Sequence, residues 1–384
     1  MGKVSSVAGV VLLNVVFIVL VGSAQASRIN PQDDEFFRTG AEQAPFNAWI
    51  ASVQERVDAT GVKDAQPGRF FAKDAGVKIN EGDLVFIVDI GGNGHFTKIQ
   101  DAIDAIPSNP SRSSRVILNL KPGVYHEQLI IGKDKPFVTL QGESTASTKI
   151  SWKEDLAEGG SDVRDAATII QGDYFTAMDV SFENTSPAPG SGAVGKQATA
   201  LAVTGDSAAF VRVGFYGFQD TLYDKSGRHY FQDCHIQGSI DFIYGDGQSY
   251  YTNCNLEVIP VQVGSLTAQK RMSTREPTGF SFVGCSVTGN GYVYLGRAWG
   301  FASRTVFSKT YLADIIIPQG WMNWDDPGRD KTVFYGEYEN YGPGSNTAER
   351  VSYSKELSAA QAGPFQTVNF IDGYSWLSSA GIGS

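Results

Sequence analysis

Cysteine is scarce: Cys234, Cys254 and Cys285 are the only three among 384 residues, too few for a disulfide-built scaffold. Histidine is almost as rare. His95, His126, His229 and His235 show no ligand spacing of the His-Glu-x-x-His kind, and no tight acidic cluster resembles a calcium loop. No Gly-x-Ser-x-Gly elbow offers a serine nucleophile. Metal catalysis is therefore not expected. Basic residues are outnumbered, 31 against 41 acidic ones for a net charge of −10, and an acidic surface argues against nucleic acid as a partner. After residue 26 no apolar run is long enough to cross a bilayer.

The first 26 residues carry the one strongly apolar stretch. Lys3 supplies a positive start, Val7 to Val21 the apolar run, and Ala24-Gln25-Ala26 a small-x-small cleavage site, the pattern of a secretory signal peptide. Residues 27–82 read as a lead-in segment, with one amphipathic helix through Trp49, Ile50, Val53 and Val57. Residues 83–384 read as one domain. It opens with a strand over Leu84 to Val88 and a turn at Gly91-Gly92-Asn93-Gly94. That turn lacks both the third glycine of a dinucleotide fingerprint and the Gly-Lys-Ser/Thr of a phosphate loop. Ile99, Ala102, Ile103 and Ile106 then keep helical spacing up to Pro107, which suits a helix capping the open end of the domain.

From Val116 onward the texture is short strands and turns. A six-residue pattern, aromatic-x-x-small-or-apolar-x-apolar, recurs at Phe175/Met178/Val180, Phe210/Val213/Phe215, Phe231/Cys234/Ile236, Tyr251/Cys254/Leu256, Phe282/Cys285/Val287 and Phe307/Thr310/Leu312. Its aromatics are 35, 21, 20, 31 and 25 residues apart. A unit of just over twenty residues with insertions is a solenoid signature. Strand-length pieces with few helix formers make it an all-β, right-handed parallel β-helix rather than a sandwich, which needs no identical internal spacing. Cys234 and Cys254 would sit on adjacent turns, where a disulfide is geometrically open. The last stretch, Ser354 to Ala362, suits a short helix. Asn184-Thr185-Ser186 is the single glycosylation sequon.

The same phase places two acids. Asp220 comes ten residues after Phe210, and Asp241 ten after Phe231. Adjacent parallel strands lie about 4.8 Å apart, so two carboxylates at that separation in an apolar setting would share one proton. Ile240, Phe242 and Ile243 enclose Asp241, whereas Gln219 and Thr221 flank Asp220. Gln197 and Gln219 carry amide donors suited to an oxyanion, and Arg297 can clamp a carboxylate. Trp299, Tyr223, Tyr244 and Trp321 suit the walls of a sugar-binding cleft. Gln219 and Asp220 would face opposite sides of a regular strand, so both serve one site only if the chain bends, for which Gly217 is the candidate.

These residues resemble the pectin methylesterases (pectinesterases) of plant cell walls. The matching motifs are Gly123-Val-Tyr-His-Glu127, Gln197-Ala-Thr-Ala-Leu201, Gly217-Phe-Gln-Asp-Thr-Leu222, Gly238-Ser-Ile-Asp-Phe-Ile-Tyr-Gly245 and Leu295-Gly-Arg-Ala-Trp299, with Phe370 to Leu377 resembling the family's ending. The resemblance implies removal of methyl groups from methyl-esterified homogalacturonan without a cofactor. Asp241 would be the nucleophile and Asp220 the acid/base, with Gln197 and Gln219 at the oxyanion and Arg297 and Trp299 positioning the substrate. It also implies a secreted monomer acting in the cell wall, open to a proteinaceous pectinesterase inhibitor, of the short type without an inhibitor-like pro-region. Ala298 stands where the family commonly has Pro, and Ile240 and Tyr244 replace commoner Val and Phe. Two rival readings use the same fold: a pectin chain-cutting enzyme, and a catalytically silent pectin-binding wall protein.

Overall fold

The computed structural model describes residues 82–153, 163–188, 197–260 and 262–382. The expected signal peptide and the helix around Trp49 lie outside these residues. Strands of two to six residues, rich in Val, Ile, Thr and aromatics, suit a pleated surface buried on both faces. Among the described residues they pair only in parallel, in three sheets of 11, 8 and 8 strands. Sheet 1 runs from Leu84–Val88 to Ser354–Glu356, sheet 2 from Gly123–His126 to Tyr311–Leu312, and sheet 3 from Leu129–Ile131 to Trp321–Met322. Eight coils each give one strand to each sheet in turn, and sheet 1 has three further strands at its ends. The fold is a right-handed parallel β-helix.

The six-residue pattern marks the corner between sheets 1 and 2. Asp179, Arg212, Asp233, Asn253 and Lys309 all hold a left-handed backbone there, with φ between 51° and 55°, and Gly284 joins them at 63°. Asp, Asn and Gly tolerate that conformation best, and the bend swings the chain from one sheet to the next. The residue after it points inward and is small. Cys234, Cys254 and Cys285 fill it with buried thiols, which direct their Sγ–H to backbone carbonyls such as Phe210 O, 3.4 Å from Cys234 Sγ. All three cysteines are free thiols.

The aromatic position builds the core. Phe210, Phe231, Tyr251, Phe282 and Phe307 stack coil upon coil, with successive ring centroids 4.8, 4.3, 4.5 and 4.5 Å apart. Such contacts contribute about 1 kcal/mol each beyond area burial. The first unit is phased differently from the sequence expectation. Ala177, not Phe175, is the partner of Phe210, and Phe182 is the partner of Phe215. Phe175 packs beside the ladder at a tilt, 5.7 Å from Phe210.

Both ends are closed. The helix Ile99–Asp104 buries Ile99, Ala102 and Ile103. Glu127 accepts hydrogen bonds from the Ile99 and Gln100 N–H groups at 2.8 and 2.9 Å, so a carboxylate from the next coil caps that helix where its dipole favours negative charge. At the other end Ser354–Glu356 is a strand paired with Phe334–Tyr338, and only Ala359–Ala362 is helical, opened by a capping box at Ser358. The expected helix from Ser354 is thus shorter, because its first residues extend sheet 1. The tail then runs back across sheet 1, burying Phe365, Phe370, Ile371 and Trp376. Ser281 Oγ, Tyr250 OH and Thr176 Oγ1 donate to its carbonyls at Phe365, Gln366 and Ala380, at 2.6, 2.9 and 2.7 Å.

Candidate active site

Sheet 3 carries the site, one coil at a time. Its register runs Ala202, Tyr223, Tyr244, Ala268, Arg297 along one column. Tyr223 and Tyr244 stack at 4.3 Å on the face opposite Leu222, and they pack with Val163, Ala166 and Ile169. They are only 4% and 2% exposed, so they form the base of the site and leave its rim to other groups. Trp299 and Trp324 lean on this cluster, partly exposed.

At the entry to sheet 3, Gln219 pairs with Ile240 and Leu222 with Ile243. This register sets Asp220 beside Asp241 on the next coil, as the spacing predicts. Both have left-handed backbones, φ 57° and 49°. Left-handed non-glycine residues of this kind cluster at functional sites. The bend that lets Gln219 and Asp220 serve one site therefore lies at Asp220 itself, and Gly217 does not supply it. For Asp241 the cause is a β-bulge, since three steps from Ile240 to Ile243 match two from Ser265 to Thr267. Bulges re-aim side chains in this way.

The two acids are equally buried, 8% and 7% exposed, so enclosure does not separate them. Their partners do. Arg297 grips Asp241 with two prongs, Nε donating to Oδ1 at 2.9 Å and a second nitrogen donating to Oδ2. Arg297 belongs to the second coil on from Asp241, and its register partner on the coil between is the small Ala268. Ser265 Oγ–H donates to Asp241 Oδ1 and accepts from the Asp241 N–H at 3.1 Å. Asp220 has no such clamp. Burial, and then the charge of Asp241, push its pKa well above the usual carboxylate range, against the pull of Arg297 and a hydrogen bond from Gln219. Within the pair it is Asp220 whose proton affinity its surroundings raise. Burial lowers the affinity of Arg297 for its proton, but hydrogen bonding to Asp241 outweighs this and keeps it charged.

Gln197 enters one coil earlier, where the Ala198 N–H bonds the Gln219 carbonyl at 3.1 Å. Its Oε1 is buried without a hydrogen-bond partner among the described residues. Next to it, the Thr199 hydroxyl bonds the Tyr244 hydroxyl at 2.8 Å. Two carboxyls of unequal proton affinity, a guanidinium on one of them and a buried amide oxygen one coil earlier are groups of the kind that acyl transfer uses. Residues 85–374 match the family described as Pectinesterase. The chain belongs to the pectinesterase family.

Relatives and solved structures agree. The chain is 42% identical over 301 residues to the Arabidopsis thaliana protein named Pectinesterase QRT1, covering 76% of this chain and 78% of that one. It superposes on the pectin methylesterase from carrot with a TM-score of 0.70 at 30% identity, covering 78% and 96% of the two chains. A pectin methylesterase solved in complex with a hexasaccharide matches with a TM-score of 0.62 at 25% identity, covering 74% and 96%.

Of the nine site residues expected from the sequence, eight belong to the acid pair or to the positions around it. Trp321, on the last strand of sheet 3, does not. It is 1% exposed and stacks on Tyr335 at 4.3 Å inside the coil, and its Nε1–H donates to Glu337 Oε1 at 3.1 Å. Its register partner on the preceding coil is Gly296. Two contributors were not singled out from the sequence. Ser265 sits in Gly-Ser-Leu-Thr without a motif to mark it, and Trp324, under the Arg297 guanidinium at 4.3 Å, is separated from Trp321 by only two residues. The sequon residue Asn184 is 4% exposed, with Nδ2 donating to Thr199 O at 3.2 Å.

Proposed function

We propose that Asp241 attacks the C6 methyl-ester carbonyl of a galacturonosyl unit in methyl-esterified homogalacturonan. Attack forms a C–O bond to an Asp241 carboxylate oxygen, and the amides of Gln197 and Gln219 stabilise the tetrahedral oxyanion. As the methoxy C–O bond breaks, Asp220 gives its proton to departing methanol. Asp220 then takes a proton from water, whose oxygen attacks the acyl carbon and releases Asp241. The product is one methanol and one new carboxylate, and the polymer backbone stays whole.

The observation that carries this reading is the asymmetry within the acid pair. In this reading the clamped Asp241 is the nucleophile, and the buried, unclamped Asp220 with raised proton affinity is the acid. Arg297 holds the nucleophile, with Trp299 and Trp324 supplying apolar rim for the sugar. The chain-cutting alternative lacks support: a glycosidase needs its acids spaced for its own chemistry at the glycosidic bond, and no group of metal-ligating residues occurs among the described residues.

By the same reading the chain is secreted through residues 1–26 and works in the cell wall as a monomer, with residues 27–82 leading into the catalytic domain 83–384. A proteinaceous pectinesterase inhibitor is the partner its family membership suggests. No helix among the described residues is long and apolar enough to cross a membrane. The test is product analysis with purified protein on methylated pectin. Methanol release at constant viscosity supports the reading, and falling viscosity without methanol overturns it.

A further inference from the structure

The chain leaves sheet 2 at the end of the strand Ser181–Asn184 and enters sheet 3 at Leu201–Val203. Gln197 lies on the return limb, outside any strand. Its Oε1 has no hydrogen-bond partner among the described residues, so that atom does not anchor the side chain. The limb itself is held by single backbone bonds. Ala198 N–H donates to Gln219 O at 3.1 Å, Ala200 N–H donates to Thr221 O at 2.8 Å, and Thr199 O accepts from Ala167 N–H at 2.9 Å.

Two side chains add to these bonds, and both close on Thr199. Asn184 Nδ2 donates to Thr199 O at 3.2 Å, while Asn184 Oδ1 accepts from the Ser186 N–H at 3.1 Å. One amide thus ties the point where the chain leaves sheet 2 to the point where it returns, 15 residues later. The Tyr244 and Thr199 hydroxyls share a second bond, at 2.8 Å. Tyr244 lies on the strand of Asp241 and stacks on Tyr223 at 4.3 Å. Burial, and then the charge of Asp220, push its hydroxyl well above the ordinary range, so the oxygen keeps its proton. Asn184, Thr199 and Tyr244 are all buried, where a polar group left without its partner is costly. Tyr244 stands where the family commonly has Phe, which offers Thr199 no hydroxyl.

We propose that Asn184 and Tyr244 are positioning residues that hold Thr199 and so fix where the Gln197 amide points. This rests on the esterase reading, in which that amide meets the oxyanion. It also bears on the sequon. A glycan on Asn184 Nδ2 needs a path to solvent that this buried side chain lacks, so the active protein carries none there.

The experiment measures kcat and KM for methanol release by Asn184→Ala and Tyr244→Phe, each in the wild-type and the Gln197→Ala background, alongside thermal melts. Asn184→Ala should lower kcat about tenfold and Tyr244→Phe about three- to fivefold, in line with loss of a buried hydrogen bond. KM for pectin should not change. In the Gln197→Ala background neither should lower kcat further, because the group they position is gone. Equal losses in both backgrounds would give the two residues a packing role alone and overturn the proposal, as would an unchanged kcat in both single variants. Where Asn184→Ala fails to fold, Tyr244→Phe decides, since it removes only a hydroxyl. The sequon is tested by the intact mass of protein secreted from a glycosylating host, beside Ser186→Ala, which removes the sequon and spares Asn184. The two should differ only by the substitution and share one kcat. A glycan on Asn184 of the active protein overturns the proposal. Absence of methanol from every pectin would instead remove the esterase reading, and the mass comparison would still test Asn184.

Discussion

Asp220 and Asp241 hold the same place on successive coils of sheet 3, both in left-handed backbone, yet only Asp241 is clamped by an arginine. Their inequality comes from what reaches them across the coils, since both are buried to the same degree.

The raised proton affinity of Asp220 has a consequence for stability. The folded state holds this proton more tightly than the unfolded chain does. The stabilisation is present below the ordinary aspartate range and is lost as pH rises toward and through the raised value, by up to about 1.4 kcal/mol per pH unit. Asp220→Asn should therefore melt above the wild type, by a margin that widens as pH rises across that window, while methanol release falls. Thermal melts over a pH series check this. A margin that narrows with pH would contradict it.

Ala268 is the register partner of Arg297 on the coil that separates it from Asp241. Ala268→Leu should crowd the guanidinium, part it from Asp241 and lower kcat about a hundredfold or more, as small misplacements at a reacting centre do. Ala268→Gly should keep most activity. Kinetics of the two variants, with melts to confirm folding, decide between a role in the clamp and mere packing.

Trp321 belongs to the core. Trp321→Phe removes the hydrogen bond to Glu337, whose carboxylate also takes Arg350 Nε at 2.9 Å, and should cost roughly 2 kcal/mol of stability. KM for pectin should not change. A raised KM with unaltered melting would return this tryptophan to the cleft.

The three thiols form a buried column at one corner of the coil. Burial pushes the Cys254 and Cys285 thiols well above their ordinary range, which leaves them poor nucleophiles. A thiol reagent should find none in the native protein and all three after denaturation. A titre of one in denaturant would mean that two had paired.

Much of the fold and site was legible in the chain itself. The aromatic spacing fixes the coil because one inward ring per turn stacks on the next, and that phase carries over to Asp220 and Asp241. The first unit misled because Phe175 sits two residues before the ladder position that Ala177 fills, and a small residue there leaves no aromatic mark. Trp321 misled for a related reason. A tryptophan next to a glycine and a second tryptophan looks alike whether it faces core or cleft, and strand register decides which. The bulge at Asp241 and the reach of Arg297 to a carboxylate two coils away are relations between coils, so no local pattern announces them.

The most direct measurement is methanol release from methylated pectin by Asp241→Asn, with a melt showing that the variant is folded. The asparagine keeps the shape of the side chain but cannot carry the acyl group as a carboxylate does. A loss of about a thousandfold or more is expected. Release at the wild-type rate would contradict the assignment of Asp241 as the nucleophile.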